Sequence, residues 1–494
     1  MINRLLRLLA LLCLACAAPA AAGAPEKPRL IVTLVVDQFA ADLFERYRAT
    51  YSGGLKRLSD GVAFPNGYQS HAATETCPGH STILTGRHPA ATGVIANTWF
   101  DRATGSWLYC VAIEGAPGDA RGPRNLKVST LGAWLKAAEP KARVVSVSGK
   151  DRAAIMLAGR KADAVYWWAD DNGFTTSRFA GPTTSWVTVP EQRFNAALLT
   201  DWKHHLPAFW PADVPADCRA LERPEEFGAI RLSGHMPPDA AQGVESGSDF
   251  LRTDAFRDQL HVSPLFDGTT LAFAERLIGA DRLGRGRATD LLAISLSATD
   301  YIGHRYGKGG PEMCANVHAL DQELGEFFAR LDSLHVPYVV VLTADHGSLD
   351  AAERRAENGL PAHRIDGSKL VAALDAQLRE ALGLAFDPIE AIDPQELWIN
   401  APGDAAFHAR IRSEAIDWLG KQPGVDQVLT RDQVIAAVPD GNSPDELTMA
   451  ERFHESFDPA RSGDIFVVLK EYTTPFVPRT PTSAVAGHGS PWDY

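Results

Sequence analysis

Three apolar runs in this chain each end on an aspartate: residues 30–37 (LIVTLVVD), 291–300 (LLAISLSATD) and 338–345 (YVVVLTAD). Short, continuous runs of branched residues are the mark of parallel strands buried on both faces. Open α/β sheets place their chemistry just beyond the carboxyl ends of such strands. Two of the three aspartates carry a histidine close by, Asp300 with His304 and Asp345 with His346. Carboxylates gathered on one rim repel each other, and one or two divalent cations are the usual remedy. The pattern predicts an α/β fold: a doubly wound, mostly parallel central sheet flanked by helices.

The rest of the chain fits around that core. Residues 1–22 read as a secretory leader, with Arg4 and Arg7 first, an apolar stretch after them and small residues before a cleavage point after Ala22. A periplasmic or secreted location follows, and no later run is long enough to span a membrane. Residues 23–160 read as the first part of the catalytic core. Within it we expect helices over 41–58 and 131–138 and a strand over 143–147. Residues 161–287 are rich in tryptophan and proline and lack clean apolar runs, which suggests an inserted cap beside the site. The core resumes over 288–350, a second mixed insertion covers 351–436, and 437–494 return to the core with one more strand over 464–469. Once the leader is gone, four cysteines remain, Cys77, Cys110, Cys218 and Cys314. An exported protein can keep disulfides, and their spacing leaves all three pairings open. The formal charge is −13. It argues against a nucleic-acid partner, because phosphate backbones select basic faces.

Each element of the candidate site is weak alone. Asp300 and His304 are four apart, so on a helix they share a face and can grip one ion, although this spacing is common in surface ion pairs. His488 lies between Gly487 and Gly489; these glycines pack nothing, so the loop serves its backbone path and its histidine. Thr76, in TETCPGHSTILTG (74–86), is expected to cap a helix, where backbone N–H groups and the positive dipole end suit a phosphoryl group. A hydroxyl there is a poor nucleophile until a metal or base activates it. Lys150 and Arg152 follow a strand end; if extended, they point the same way and match a dianion. The Asn97 amide could donate to a phosphate oxygen. Taken together, oxygen and nitrogen ligands of this kind suit a dinuclear zinc site, and two metals about 4 Å apart can clamp the attacking and leaving oxygens of an in-line phosphoryl transfer.

Read together and in this order, Asp37, Thr76, Asn97, Lys150, Arg152, Asp300, His304, Asp345, His346 and His488 resemble the alkaline phosphatase superfamily, and more narrowly the phosphate-irrepressible bacterial alkaline phosphatases. The resemblance implies two Zn2+ ions, one held by Asp37, Thr76, Asp345 and His346, the other by Asp300, His304 and His488. It also admits an additional Ca2+ whose position it does not give. It implies attack by Thr76 on small-molecule phosphate monoesters, a phosphothreonine intermediate, and binding of the nonbridging oxygens by Asn97, Lys150 and Arg152, in a protein expected to be a monomer. A zinc-dependent phosphodiesterase or nucleotide pyrophosphatase of the same superfamily is the rival reading, since threonine is the nucleophile there too. Two cations and an amide favour the dianionic monoester over a diester. A sulfatase would need C/S-x-P-x-R, whereas here Cys77 is followed directly by Pro78 and position 81 is serine. A non-catalytic phosphate- or metal-binding protein should have lost a ligand, and none is missing.

Overall fold

The structure is a computed structural model describing residues 27–64, 67–113, 115, 120–170, 172–177, 190–239 and 250–492. The expected leader, residues 1–22, lies outside the described residues. Among the described residues no helix is long and apolar enough to cross a membrane.

Six strands form the central sheet: β1 (Leu30–Val36), β2 (Val144–Ser148), β3 (Ala164–Ala169), β4 (Gly173–Thr175), β5 (Asp290–Leu296) and β6 (Tyr338–Thr343). Their spatial order is β6-β1-β5-β2-β3-β4. All neighbours are parallel except the β3–β4 pair. The strands β2 and β5 are buried throughout, and β1 nearly so. Successive side chains on a strand face opposite ways. Accordingly Val32, Leu34 and Val36 of β1 enter one apolar core with Leu292, Ile294 and Leu296. Val35, Leu291 and Ala293 enter a second core on the other face. The strand β6 has a neighbour on one side only, and its Val339 and Val341 are 41% and 50% exposed. Its apolar run therefore reflects an edge strand, not one buried on both faces.

Five helices position the site: α1 (Thr76–Ile83), α2 (Asp151–Ala158), α3 (Pro264–Ala280), α4 (Ala298–Tyr306) and α5 (Pro311–Asp332). The α2 side chains Ala154 to Ala158 fill one core, while α3 and α5 contribute Phe266, Phe273, Leu320 and Leu324 to the other. Helices thus cover both faces, as a doubly wound sheet requires.

Several expectations change in detail. The helix expected over 41–58 is broken into Ala41–Tyr47, a 3₁₀ turn at Arg48–Thr50, and Gly54–Ser59. The Asp321 carboxylate from α5 accepts hydrogen bonds from the backbone of Ser52, Gly53 and Leu55, each at 2.7 Å, and so fixes a new helix start. The tryptophan-rich region does not wholly stand apart as a cap: β3 and β4, with Trp167 and Trp168, extend the central sheet itself. The strand expected over 464–469 forms as Ile465–Leu469 but belongs to a second, antiparallel sheet with Ile389–Glu390, Glu396–Ile399 and Val425–Thr430. Helices Gly367–Leu382 and Ala405–Leu419 give that sheet its own apolar core. The disulfides are Cys77–Cys110 and Cys218–Cys314, the latter joining the region before α3 to α5.

Candidate metal and phosphoryl-transfer site

The sheet order brings the three aspartates together. Asp345 follows β6, Asp37 follows β1, and Asp300 lies in the first turn of α4 just after β5. These are three adjacent strands, so three carboxylates distant in sequence meet on one rim. All three are buried. Gln38, next to Asp37, links the other two: its backbone N–H donates to Asp345 Oδ1 (3.1 Å) and its Nε2 to Asp300 Oδ1 (2.8 Å). Gln38 has φ of 67°, a strained backbone for a side-chain-bearing residue. Its amide fits only because residue 303 is glycine; a Cβ there would lie 1.9 Å from Gln38 Oε1.

Histidines complete two donor groups. The Nε2 atoms of His304 and His488 lie 3.3 and 3.4 Å from Asp300 Oδ1. His346 Nε2 lies 3.4 Å from both Asp37 Oδ1 and Asp345 Oδ2. These separations are long for hydrogen bonds but close to the edge of a zinc tetrahedron, roughly 3.3 Å for ligand distances near 2.0 Å. Asp37 Oδ1, Asp345 Oδ2 and His346 Nε2 are buried with no hydrogen-bond partner. Each histidine turns its other nitrogen to a backbone carbonyl: His304 Nδ1 to Ala486 (3.0 Å), His346 Nδ1 to Gly347 (3.0 Å) and His488 Nδ1 to Thr74 (2.7 Å). Those bonds place the proton on Nδ1 and leave the Nε2 lone pair for a cation. The donor set fits two divalent metals: the ligand atoms of Asp37, Asp345 and His346 lie within 4.8 Å of one another, and so do those of Asp300, His346 and His488, with His304 joining the second group through Asp300. A further group, Asp217, Cys218, Cys314 and His318, does not, because both sulfurs are in the disulfide.

Electrostatics agree. Burial, then the neighbouring Asp345 charge, push Asp37 up to about 6. Burial also works against Asp345 and Asp300, but His346 and His80 hold the first, and Lys150 and His304 the second, well below the usual carboxylate range. Burial, and then His346, push His488 down to about 3.

Thr76 opens α1 as its first helical residue, with Glu75 at the cap position in place of the expected threonine cap. The helix reaches the rim because residue 79 is glycine; a Cβ there would meet the Asp345 carbonyl oxygen at 2.2 Å. The Cys77 N–H donates to Asn97 Oδ1 (2.8 Å), which leaves the Asn97 Nδ2 donors for a ligand, and the Asn97 N–H donates to Glu75 Oε2 (2.6 Å). Arg152 Nη2 lies 3.4 Å from Thr76 Oγ1. Lys150 Nζ bridges Asp37 Oδ2 (2.7 Å) and Asp300 Oδ2 (2.5 Å) and stands 4.9 Å from the Tyr301 ring centroid. Lys150 and Arg152 do not form an extended pair: Lys150 caps α2 and Arg152 is its second residue. They still converge, because α2 points its N-terminus at the rim.

All ten sequence-identified residues thus gather at one end of the sheet. Two others in that cluster escaped sequence reasoning, Gln38 and His80. His80 Nδ1 lies 2.9 Å from both the Thr76 carbonyl oxygen and Asp345 Oδ2, and its Nε2 2.8 Å from Ser295 Oγ. Its proton is directed at the carbonyl, so Asp345 Oδ2 keeps its free lone pair. Its position four residues after Thr76, on the same helix face, was the available signal. A cavity of about 630 Å³ lies at the opposite end of the sheet beside Arg143 and Asp290, away from this cluster.

A sequence profile of the type I phosphodiesterase / nucleotide pyrophosphatase family matches residues 31–491. The chain is 41% identical to alkaline phosphatase PhoK of Sphingomonas sp over 489 residues, 95% of this chain and 82% of PhoK. It is 39% identical to alkaline phosphatase PhoD of Zymomonas mobilis over 480 residues, 94% of this chain and 79% of PhoD. Among solved structures, wild-type alkaline phosphatase PafA superposes with a TM-score of 0.77 at 25% identity, covering 94% of this chain and 91% of PafA. The rim of carboxylates and imidazoles described above is therefore that of a member of the type I phosphodiesterase / nucleotide pyrophosphatase family, within the alkaline phosphatase superfamily, to which this chain belongs.

Proposed function

We propose that this enzyme is an exported, zinc-dependent alkaline phosphatase that hydrolyses phosphate monoesters through a phosphothreonine intermediate. The observation that carries the reading is the gathering of the carboxylate and imidazole donor groups with Thr76, Asn97, Lys150 and Arg152 at one rim. The alkaline phosphatase relatives support the monoester reading, and the basic, apolar and small-residue order of residues 1–22 supports export.

His346, Asp37 and Asp345, together with Thr76 Oγ1, would hold one zinc, and Asp300, His304 and His488 the other. Bound there, the ions supply Lewis acidity, lowering the pKa of coordinated oxygens and offsetting charge on the phosphoryl group. The chain's own residues do the rest. The positive end of the α1 dipole favours an anion beside Thr76. Asn97 and Arg152 donate to the nonbridging oxygens, and Lys150 adds positive charge between the two carboxylates. Thr76 Oγ gives up its proton and bonds to phosphorus as the ester oxygen leaves and is protonated to the alcohol; water then attacks the phosphothreonine, releasing inorganic phosphate and restoring the hydroxyl. Charge-assisted contacts are worth roughly 1.5–3 kcal/mol each, so a clamp with two cations and an amide favours a dianion over a diester.

The test is a comparison of kcat/KM on a phenyl phosphate monoester and a diester of matched leaving group, with metal content measured on the same preparation. Faster monoester turnover with about two zinc ions per chain is expected. Faster diester turnover would place the chain with the phosphodiesterases instead, and full activity in metal-free protein would remove the mechanism. Thr76→Ala should abolish turnover, whereas a protein that only binds phosphate would keep its function.

A further inference from the structure

The hairpin formed by strands Thr98–Asp101 and Ser106–Tyr109 reaches the nucleophile from both of its ends. Asn97 precedes its first strand. Tyr109 closes its second, and Cys110 follows, bonded to Cys77 directly after Thr76. The Cys110 N–H donates to the Asn97 carbonyl at 2.9 Å, closing the base of the hairpin. Tyr109 points at the start of α2: its hydroxyl donates to Asp151 Oδ1 at 2.6 Å. Asp151 stands between Lys150 and Arg152, and its other oxygen accepts from Arg121 Nε at 3.1 Å. Arg121 also lies 5.4 Å from the Tyr109 ring centroid, a cation–π contact. Asp151 Oδ1 also accepts from the Arg152 backbone N–H at 2.6 Å, so the Tyr109 hydroxyl and the start of α2 share one acceptor.

We infer that Tyr109 is a positioning residue for the phosphate clamp: by holding Asp151 it fixes the start of α2, from which the Arg152 guanidinium reaches toward Thr76 Oγ1, and so sharpens selection of the dianionic phosphoryl group. The polarity of the chain is consistent. A phenol can donate to a carboxylate oxygen that also accepts from a backbone N–H. Burial raises the Tyr109 phenol above its ordinary value, so it keeps its proton in alkaline solution. The need is physical too. Arginine has a long, rotamer-rich side chain, and Arg152 Nε has no partner of its own. A fixed helix start limits the orientations it must abandon when phosphate binds. The inference rests on the monoesterase reading above, and the experiment separates the two.

Wild type, Tyr109→Phe, Arg152→Ala and the double variant would be compared for monoester kcat/KM, diester kcat/KM and competitive inhibition by inorganic phosphate. Tyr109→Phe should lower monoester kcat/KM and phosphate affinity roughly tenfold and diester kcat/KM by no more than about threefold, with no further monoester loss in the Arg152→Ala background. Asp151→Asn should shift the monoester-to-diester ratio in the same direction. Equal losses on both substrates, unchanged phosphate inhibition in Tyr109→Phe, or fully additive losses in the double variant would overturn the inference. Wild-type protein that prefers the diester would instead overturn the monoesterase reading, whatever Tyr109 does.

Discussion

Gly79 lets the helix that carries Thr76 approach the rim of carboxylates, and Gly79→Ala should separate them. A Cβ at this position would sit 2.2 Å from the Asp345 carbonyl oxygen and 2.8 Å from its carbonyl carbon and Cβ. None of these atoms is the end of a flexible side chain. Ordinary van der Waals contact begins about 1 Å further out, so α1 must move away from the end of β6 by about that distance. Thr76 moves with it, away from Asp37 and Asp345. A misplacement of about 1 Å at a reacting centre costs on the order of 100-fold in rate. Overpacking of this kind costs roughly 1–3 kcal/mol in stability, less than the roughly 5–15 kcal/mol that holds a domain folded. We therefore expect a folded protein with a melting temperature a few degrees lower and kcat on a phenyl monoester down about 100-fold. Gly279→Ala is the control: this exposed glycine in α3 has nothing within 4 Å of its Cβ, and alanine there should be neutral or slightly stabilising. A Gly79→Ala protein with wild-type kcat would show that α1 does not depend on this close approach, and the placement of Thr76 argued above would be wrong.

Lys150→Ala and Arg152→Ala should each lower monoester kcat/KM by roughly 10- to 100-fold and diester kcat/KM much less, as read from parallel progress curves. Chelation should abolish activity and lower the melting temperature, because Asp37, Asp300 and Asp345 then have only Lys150 and the neighbouring histidines to offset their charge, and added zinc should restore both; stability unaffected by chelation would count against cations in the two cradles. Asp281 offers a pH-dependent test away from the site. Both its oxygens are buried without partners, and burial lifts it from 3.8 to about 7. The folded state thus holds a proton that the unfolded chain has already released, and stability falls as pH rises from 3.8 to about 7. Asp281→Asn cannot ionise, so its melting temperature should exceed wild type at pH 9 by more than at pH 5; an equal offset at both would refute the assignment.

The readable part of this fold lay where one physical constraint dominates. Strands buried on both faces must be apolar and branched, so β1 and β5 announce themselves, and the aspartates beyond them stand out by contrast. His488 was legible because its flanking glycines have no packing role of their own. Features set by distant partners stayed hidden. The break at residues 51–53 comes from Asp321, more than 260 positions later. The left-handed backbone of Gln38 is invisible in the string VDQF, because glutamine carries no signal for positive φ, and Gly303, which makes room for its amide, is remote from it in sequence. The pairing of Cys77 with Cys110 needed the hairpin, not the spacing.

Strand order explains why one site can serve a family with more than one substrate class. Along the rim, β6, β1, β5 and β2 present Asp345, Asp37, Asp300 and then Lys150 with Arg152. Neighbouring strands are about 4.8 Å apart, which sets adjacent carboxylates at a spacing suited to two cations about 4 Å apart. That part of the rim is fixed by the sheet and tolerates little variation. The region beyond β2 is different: there the start of α2 and the hairpin that packs on it bring Arg152 to Thr76 Oγ1 and Tyr109 to Asp151. Cations there select a dianion, while an apolar surface in the same place would accept a second ester group. On the function proposed above, substrate class is decided by a few residues at one helix N-terminus, and exchanging Lys150 and Arg152 for small apolar residues should move the preference toward diesters.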